Sequence, residues 1–406
     1  MGRMVGLMGD PQTSYPVIHL TGTNGKGSTA RMLTALLVEM GLSVGTYTSP
    51  HLERINERMA WNGEPISDAS FVEVIEAVSR LEPLLDSPPT HFEILTAAAY
   101  RWFADVAVDV AVVEVGLGGR WDATNVADGR VAAVTNISFD HAEVIGPTLA
   151  DIAEEKAGIV KADSVVVVGE TDPALVAIFE RAAFAAGADG VWVRGRDFDC
   201  LGNELAHGGR QIDLVTPGGR YPGVFLPVHG SYQGENAAMA LAAAEAFFAA
   251  PLDPDVVAGA LAAVRLPGRL EVMSRDPLLV LDGAHNPAGA ARSTAAIDEA
   301  FAGRSDRILV VGMVNGRDPV EMLEAFDVGR ARLVVACPPP SPRAIPAAEV
   351  ADAARALGTD AEEATSVPEA VATALALAGP DEMIVVTGSL YVVGAALAAL
   401  TGSGAQ

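Results

Sequence analysis

The sequence predicts an α/β protein. An N-terminal P-loop-type domain with a mostly parallel sheet carries a small antiparallel appendage, and a smaller Rossmann-like α/β domain follows it. Three observations predict this. β-Branched runs alternate with Ala-rich helical stretches, the rhythm of βαβ units. The runs are apolar without alternation, as strands covered on both faces are. The rhythm is broken first by a Gly-rich polar stretch and then by LPGR, after which a second series begins.

In chain order, VIHL is a strand, STARMLTALLVEM a helix and SVGTY the next strand. Thr90 with Glu93 forms a capping box ahead of FEILTAAAYRWFA, and Thr148 with Asp151 does the same for LADIAEEKA, which stops at Gly158. DVAVVEV, VAAVTNI and SVVVVG are further buried strands. From Asp199 to His229 the polar stretch NELAHGGRQIDLVTPGGRYPGVFL reads as hairpins, and a helix beginning near Glu235 restores the rhythm. LPGR, Leu266 to Arg269, precedes LLVLDG, RILVVGM, RLVVAC and MIVVTG with helices between them. The expected division is a larger first domain over 1–265, a hinge over 266–276 and a smaller C-terminal domain over 277–406.

Composition narrows the function. The 406 residues carry 27 Lys and Arg against 52 Asp and Glu, a formal charge of −25. Without a clustered basic stretch such a polyanion is repelled by phosphate backbones and anionic membranes, so neither nucleic acid nor membrane is an expected partner. Cys200 and Cys337 make no disulfide framework and no zinc site, which fits a reducing cytoplasm. The start, MGRMVGLMGDPQ, lacks the apolar core of a signal peptide, and no window approaches a membrane span. The expectation is a soluble cytoplasmic protein.

TGTNGKGST, Thr21 to Thr29, lies between a buried strand and a helix. Phosphate binding needs inward amides, glycines that let the backbone approach, a lysine and a helix N-terminus. Gly22, Thr23, Asn24, Gly25, Lys26, Gly27 and Ser28 supply these, although the GxxxxGK[ST] spacing is not met. The bland alternative is a flexible turn capped by Ser28. Glu114, in DVAVVEVGLGGRWDATN, is a carboxylate in an apolar strand. It sits either at the strand's exposed C-terminal end, where open α/β sheets bind ligands, or against a metal; the bland alternative is a buried pair with Arg120. His141 follows the next strand, where both a structural and a site role stand open. Spacing alone makes Lys156 an exposed helix lysine. Ser49 and His51 lie on a loop that turn chemistry explains by itself. In LDGAHNP, Asn286 before Pro287 is a plain N-cap, while Asp282 and His285 would sit at a strand's C-terminal edge; Arg269 lies at the hinge.

Taken in order, TGTNGKGST, TSPHLERINER, THFEILTAAA, VEVGLGGRWDATN, DHAEVIGPTLADIAEEKAGIVK, GSYQGENAA, PGRLEV, DGAHNP and TGSLY resemble the folylpolyglutamate synthase and dihydrofolate synthase family of the Mur ligase superfamily. The resemblance spans nearly the whole chain. It implies an enzyme that joins a pteroate or folate carboxylate to the amine of L-glutamate and splits ATP to ADP and phosphate. It implies that Lys26 and the surrounding amides hold the nucleotide phosphates, that Ser49, Glu114 and His141 ligate Mg2+, and that Lys156 reacts with carbon dioxide to form a carbamate. It further implies that Asn236, Arg269, Asp282 and His285 surround the adenine, the phosphates and the interdomain face, with Asp282 and His285 in the catalytic set. Phe92, Asp122 and Ala123 match positions that hold the pterin. A monomer is the family expectation.

The chain departs from the pattern at Trp121, where a small aliphatic residue is common, and at Tyr232, where His often precedes Gln233. The initial helix looks shortened or absent. A P-loop kinase or a non-catalytic nucleotide-binding module would leave DGAHNP, or Glu114 with His141, without a role. A Mur-type amide ligase with another acceptor is the alternative, yet the cell-wall enzymes use an additional N-terminal domain and only 16 residues precede the first strand.

Overall fold

A computed structural model of the chain describes residues 1–140, 142–304 and 306–402. They divide into two compact units. Met1–Pro50, Asn56–Pro227 and Gln233–Arg265 make the first; His51–Ile55, Val228–Tyr232 and the chain from Leu266 onward make the second.

The first unit opens with α1 (Gly2–Leu7), β1 (Val17–Thr21), α2 (Lys26–Glu39), β2 (Val44–Tyr47), β3 (Met59–Trp61), β4 (Glu64–Pro65), α3 (Asp68–Ser79) and α4 (His91–Asp105). It continues through β5 (Val110–Glu114), β6 (Gly129–Val134), α5 (Ala142–Ile145), α6 (Leu149–Lys156), β7 (Val165–Val168), α7 (Pro173–Ala186) and β8 (Gly190–Val193). The eight strands form one sheet in the order β4-β3-β2-β5-β1-β6-β7-β8, antiparallel only at β2-β3-β4. The appendage is a three-stranded antiparallel sheet of β9 (Asp199–Ala206), β10 (Gly209–Thr216) and β11 (Gly219–Leu226), followed by α8 (Tyr232–Phe248) and α9 (Pro254–Ala262).

Local chemistry sets these boundaries. Both capping boxes form: Thr90 and Thr148 accept the amides of Glu93 and Asp151, whose carboxylates reach back to the capping residues' own amides. The initial helix is short but present, with Met4 and Val5 buried. α8 starts three residues before Glu235, because Gly230 at φ +94° ends the preceding loop and nothing breaks the chain after it.

The second unit contains β12 (Glu271–Arg275), β13 (Leu278–Leu281), α10 (Pro287–Ala300), β14 (Arg307–Val311), α11 (Pro319–Ala325) and β15 (Ala331–Ala336). α12 (Ala347–Ala356), β16 (Ala361–Glu363), α13 (Val367–Leu377), β17 (Met383–Thr387) and α14 (Leu390–Thr401) complete it. Its sheet runs β12-β13-β17-β14-β15-β16, parallel except for β12. Much of the 266–276 segment expected as a hinge is therefore tied into a sheet, because β12 exchanges ladder bonds with β13. Alternate residues of the central strands enter different cores: Val280, Leu309 and Val385 pack in one, Leu281, Val310 and Val386 in the other. Both faces are covered, as the unbroken apolar runs require. Among the described residues no helix is long and apolar enough to cross a membrane.

Register positions the site. Leu20 of β1 pairs with Glu114 of β5, and Thr21 with Val134 of β6, so these strands end level. The loops that follow them leave the same C-terminal edge, where open α/β sheets bind ligands.

Candidate active site

The loop after β1 is shaped by close approaches that only glycine permits. A Cβ on Gly22, at φ +140°, would lie 1.9 Å from Thr135 Oγ1; on Gly25, at φ +85°, it would lie 2.5 Å from Asn236 Oδ1. The end of β6 holds the loop from beside it. Thr23 N–H donates to the Asn136 carbonyl (2.9 Å) and Asn24 N–H to Asn136 Oδ1 (3.0 Å), while Thr135 Oγ1 (2.7 Å) and Asn136 Nδ2 (2.9 Å) donate to the Asn24 carbonyl. Ser28 is buried inside α2 and does not cap it; Gly25 occupies the capping position and has no side chain to offer the first amides. A helix N-terminus without a capping side chain, behind a fixed glycine loop, is an anion-binding arrangement.

Two ammonium groups converge here. Lys26 Nζ donates to the carbonyls of Gly22 (3.0 Å) and Thr23 (3.2 Å), and Lys156 Nζ donates to the same Gly22 carbonyl (2.8 Å). Lys156 is thus buried, 5% exposed, and not the solvated lysine that its spacing suggests. α6 carries its last residue inward because Ile152 and Ala153 pack that helix into the core. Burial, then repulsion from Lys26, pulls the Lys156 ammonium from 10.5 to about 7.

Glu114 ends β5 at 3% exposure, with its Oε2 accepting the Ser49 amide (3.1 Å). It does not pair with Arg120, whose guanidinium donates to the Glu154 carbonyl instead. A Cβ on Gly27 would stand 3.6 Å from Glu114 Oε2, so the carboxylate faces the start of α2. His141 lies outside the described residues. The described residues contain no cluster of three His, Cys, Asp or Glu able to hold a metal. A carboxylate beside the Ser49 and Ser28 segments is nonetheless a hard-oxygen set of the kind that suits Mg2+, which takes one or two protein oxygens and fills its shell with water and phosphate.

The loop after β5 supplies the neighbouring surface. Phe92 packs under it, its ring 2.4 Å from where a Cβ on Gly116 would be. Asp122 Oδ2 accepts the Leu117 amide (2.9 Å), and its Oδ1 accepts the Thr124 amide (2.9 Å) and hydroxyl. The carboxylate therefore shapes the loop that holds it, and burial raises its pKa against those bonds. Thr124 Oγ1 spends its proton on Asp122, so it accepts from His19 Nε2 (2.8 Å), which extends the brace down to β1. Ala123 begins the short helical turn that follows. Trp121 projects from this loop at 67% exposure.

In the second unit, Asp282 is buried after β13. Its Oδ2 accepts the Leu270 amide (3.0 Å) and its Oδ1 the Ala284 amide (3.1 Å). Burial raises its pKa, opposed chiefly by the Arg269 charge. Leu270 sits at φ +47° and Gly268 at φ +66°, so Asp282 secures a turn that presents Arg269 between two left-handed residues. His285 Nδ1 bonds the Gly283 carbonyl (2.9 Å), and Asn286 caps α10 through the Gly289 amide (2.8 Å). The capping reading of Asn286 and the strand-edge placement of Asp282 and His285 both hold.

Sequence reasoning passed over the residues that hold the loops: Thr21, Thr135, Asn136 and Glu155. Polar residues in the last turn of apolar strands, as in VAAVTNI, were the available signal for two of them.

Two family models match: Mur ligase middle domain over residues 20–244, and Mur ligase, glutamate ligase domain over 268–390. Fold and site thus define a Mur-type ligase. A dihydrofolate synthase/folylpolyglutamate synthase of Mycobacterium tuberculosis is 40% identical, with 98% of this chain and 88% of that protein covered. The solved M. tuberculosis folylpolyglutamate synthase complexed with ADP and AMPPCP superposes with a TM-score of 0.93 at 40% identity, over 98% of this chain and 93% of that one. Escherichia coli FolC in complex with DHPP and ADP superposes at 0.87 with 28% identity, over 99% and 93%. The chain belongs to the dihydrofolate synthase/folylpolyglutamate synthase family.

Proposed function

We propose that this protein is an ATP-dependent ligase that joins L-glutamate to dihydropteroate and to folate (poly)glutamates through an acyl phosphate, releasing ADP and phosphate. The observation that carries the reading is the pair of lysines on the Gly22 carbonyl, above a glycine loop and beside Glu114, in a chain matched along its length by enzymes of that name.

A carboxylate is a poor acyl donor, and ATP supplies the leaving group. The acceptor's carboxylate attacks the γ phosphorus, forming an O–P bond as the bond to ADP breaks. Glutamate's amine then attacks the activated carbonyl, losing its proton as phosphate departs and the amide forms. Lys26 and the amides of residues 22–28 offset the charge on the transferred oxygens. Mg2+ would be held by Glu114, Ser49 and His141, with Ser28 reaching it through the nucleotide, and would supply Lewis-acid stabilisation there. Lys156, readily neutral near pH 7, attacks carbon dioxide through Nζ, forming an N–C bond and releasing a proton. The resulting carbamate replaces a cation with an anion beside the phosphate loop. Phe92, Asp122 and Ala123 belong to the acceptor's ring. Asn236 and Arg269 belong to the nucleotide, and Asp282 and His285 to the second unit's share of the catalysis.

The formal charge of −25 supports a protein that binds neither nucleic acid nor membrane, the two unpaired cysteines support a cytoplasmic location, and a monomer is what family membership leads one to expect. ADP release with dihydropteroate, with reduced folates and with UDP-muramyl substrates, each with and without L-glutamate, tests the assignment. Glutamate-dependent release with a pterin acceptor is expected. Release with the UDP-muramyl substrate alone would favour a cell-wall ligase.

A further inference from the structure

The loop that follows β5 is fastened by a side chain on α6 for which the reaction as written has no use. Glu155 is 5% exposed. Its Oε1 accepts the amides of both Gly119 (3.2 Å) and Trp121 (3.1 Å), and its own carbonyl accepts the Arg120 amide (3.0 Å). Three successive amides of the loop therefore end on one residue. The fit is close enough to exclude side chains: a Cβ on Gly119 would stand 2.8 Å from the Glu155 carbonyl and 3.0 Å from Lys156 Cα, and one on Gly158 would meet Arg120 Cβ at 2.4 Å. The next residue along, Lys156, reaches the phosphate loop, so a single helix end touches both loops.

We propose that Glu155 is a positioning residue for the acceptor. It sets the height of the 116–123 loop, and with it Trp121, Asp122 and Ala123, relative to Lys156. The hydrogen bonds that hold the phosphate loop do not involve the Glu155 side chain. Thr135 and Asn136 hold residues 22–24 from β6, and both lysines bond Gly22 whether or not Glu155 keeps its side chain. The far side of the acceptor loop is tied through the Thr21 hydroxyl to the Gly118 carbonyl (2.7 Å) and through Asp122 to Leu117 and Thr124. Losing Glu155 should therefore release one flank of the loop while leaving its fold and the nucleotide site in place.

This inference rests on the ligase assignment, and the test separates the two. Steady-state glutamate ligation is measured for the parent, E155A, E155Q and G119A, varying dihydropteroate at saturating ATP and ATP at saturating dihydropteroate. E155A should raise the KM for dihydropteroate about tenfold, the effect of leaving two amides without their acceptor, while the KM for ATP stays within about twofold. E155Q keeps a carbonyl oxygen at the Oε1 position and should stay within about threefold of the parent. G119A forces the same junction apart with the Glu155 side chain intact and should also raise the acceptor KM, which carries the test if E155A does not fold. Equal changes in both KM values, an unchanged acceptor KM, or E155Q as impaired as E155A would overturn the proposal. A parent that ligates no glutamate would instead refute the ligase assignment.

Discussion

Replacing Lys156 with methionine should make the protein more stable and less active. The ammonium is pulled from 10.5 to about 7, first by burial and then by Lys26. At about 1.4 kcal/mol per pH unit, keeping this amine folded costs roughly 4–5 kcal/mol at and below pH 7. Between pH 7 and 10.5 the unfolded chain holds a proton that the folded one has released, so stability rises with pH across that window and the cost vanishes above it. Methionine removes the cost and gives up one hydrogen bond, worth about 1 kcal/mol. Gly22 loses little, because its carbonyl retains Lys26. The net gain is about 3 kcal/mol at pH 7, shrinking toward zero or slightly below by pH 10. Urea denaturation of parent and variant in CO2-free buffer at pH 7, 8.5 and 10 measures it. An equally stable variant at pH 7, or an advantage that grows with pH, would refute the burial argument. Activity should fall with the loss of the amine, and small carboxylates should partly restore Lys156→Ala by standing in for the carbamate. A fully active alanine variant would remove Lys156 from the chemistry.

Other consequences are as direct. Lys26→Ala should lower kcat on the order of 10²-fold or more with an unchanged melting curve, since its bonds are to its own loop; near-normal turnover would end the phosphate assignment. Glu114→Gln should raise the magnesium concentration for half-maximal activity, and an unchanged titration would return the residue to a purely structural role. Asp282→Asn can accept only one of the Leu270 and Ala284 amides and should destabilise the chain by about 1–3 kcal/mol in urea titration. Unchanged stability would contradict that brace.

The parallel sheets were readable because VAVVE and its counterparts are buried on both faces, and such strands must be apolar throughout. The phosphate loop was readable because glycine and lysine between strand and helix have few other uses. Lys156 was not. Helix spacing describes neighbours on one surface, and the partner that receives this side chain is the Gly22 carbonyl, 134 residues away in sequence. The same holds for Glu155, whose partners are amides and carry no mark in the sequence. Residues 51–55 and 228–232 join the second unit across gaps that a contiguous boundary at 265 cannot express. Trp121 was visible as a departure, but its exposure on a fastened loop required coordinates.

The central claim is glutamate ligation to a pterin acceptor. Incubation with ATP, magnesium, L-glutamate and either dihydropteroate or a reduced folate, followed by mass spectrometry, tests it most directly. A product heavier by one glutamyl residue, formed with stoichiometric ADP, is predicted. ADP release with no change in the mass of any pterin acceptor would contradict it.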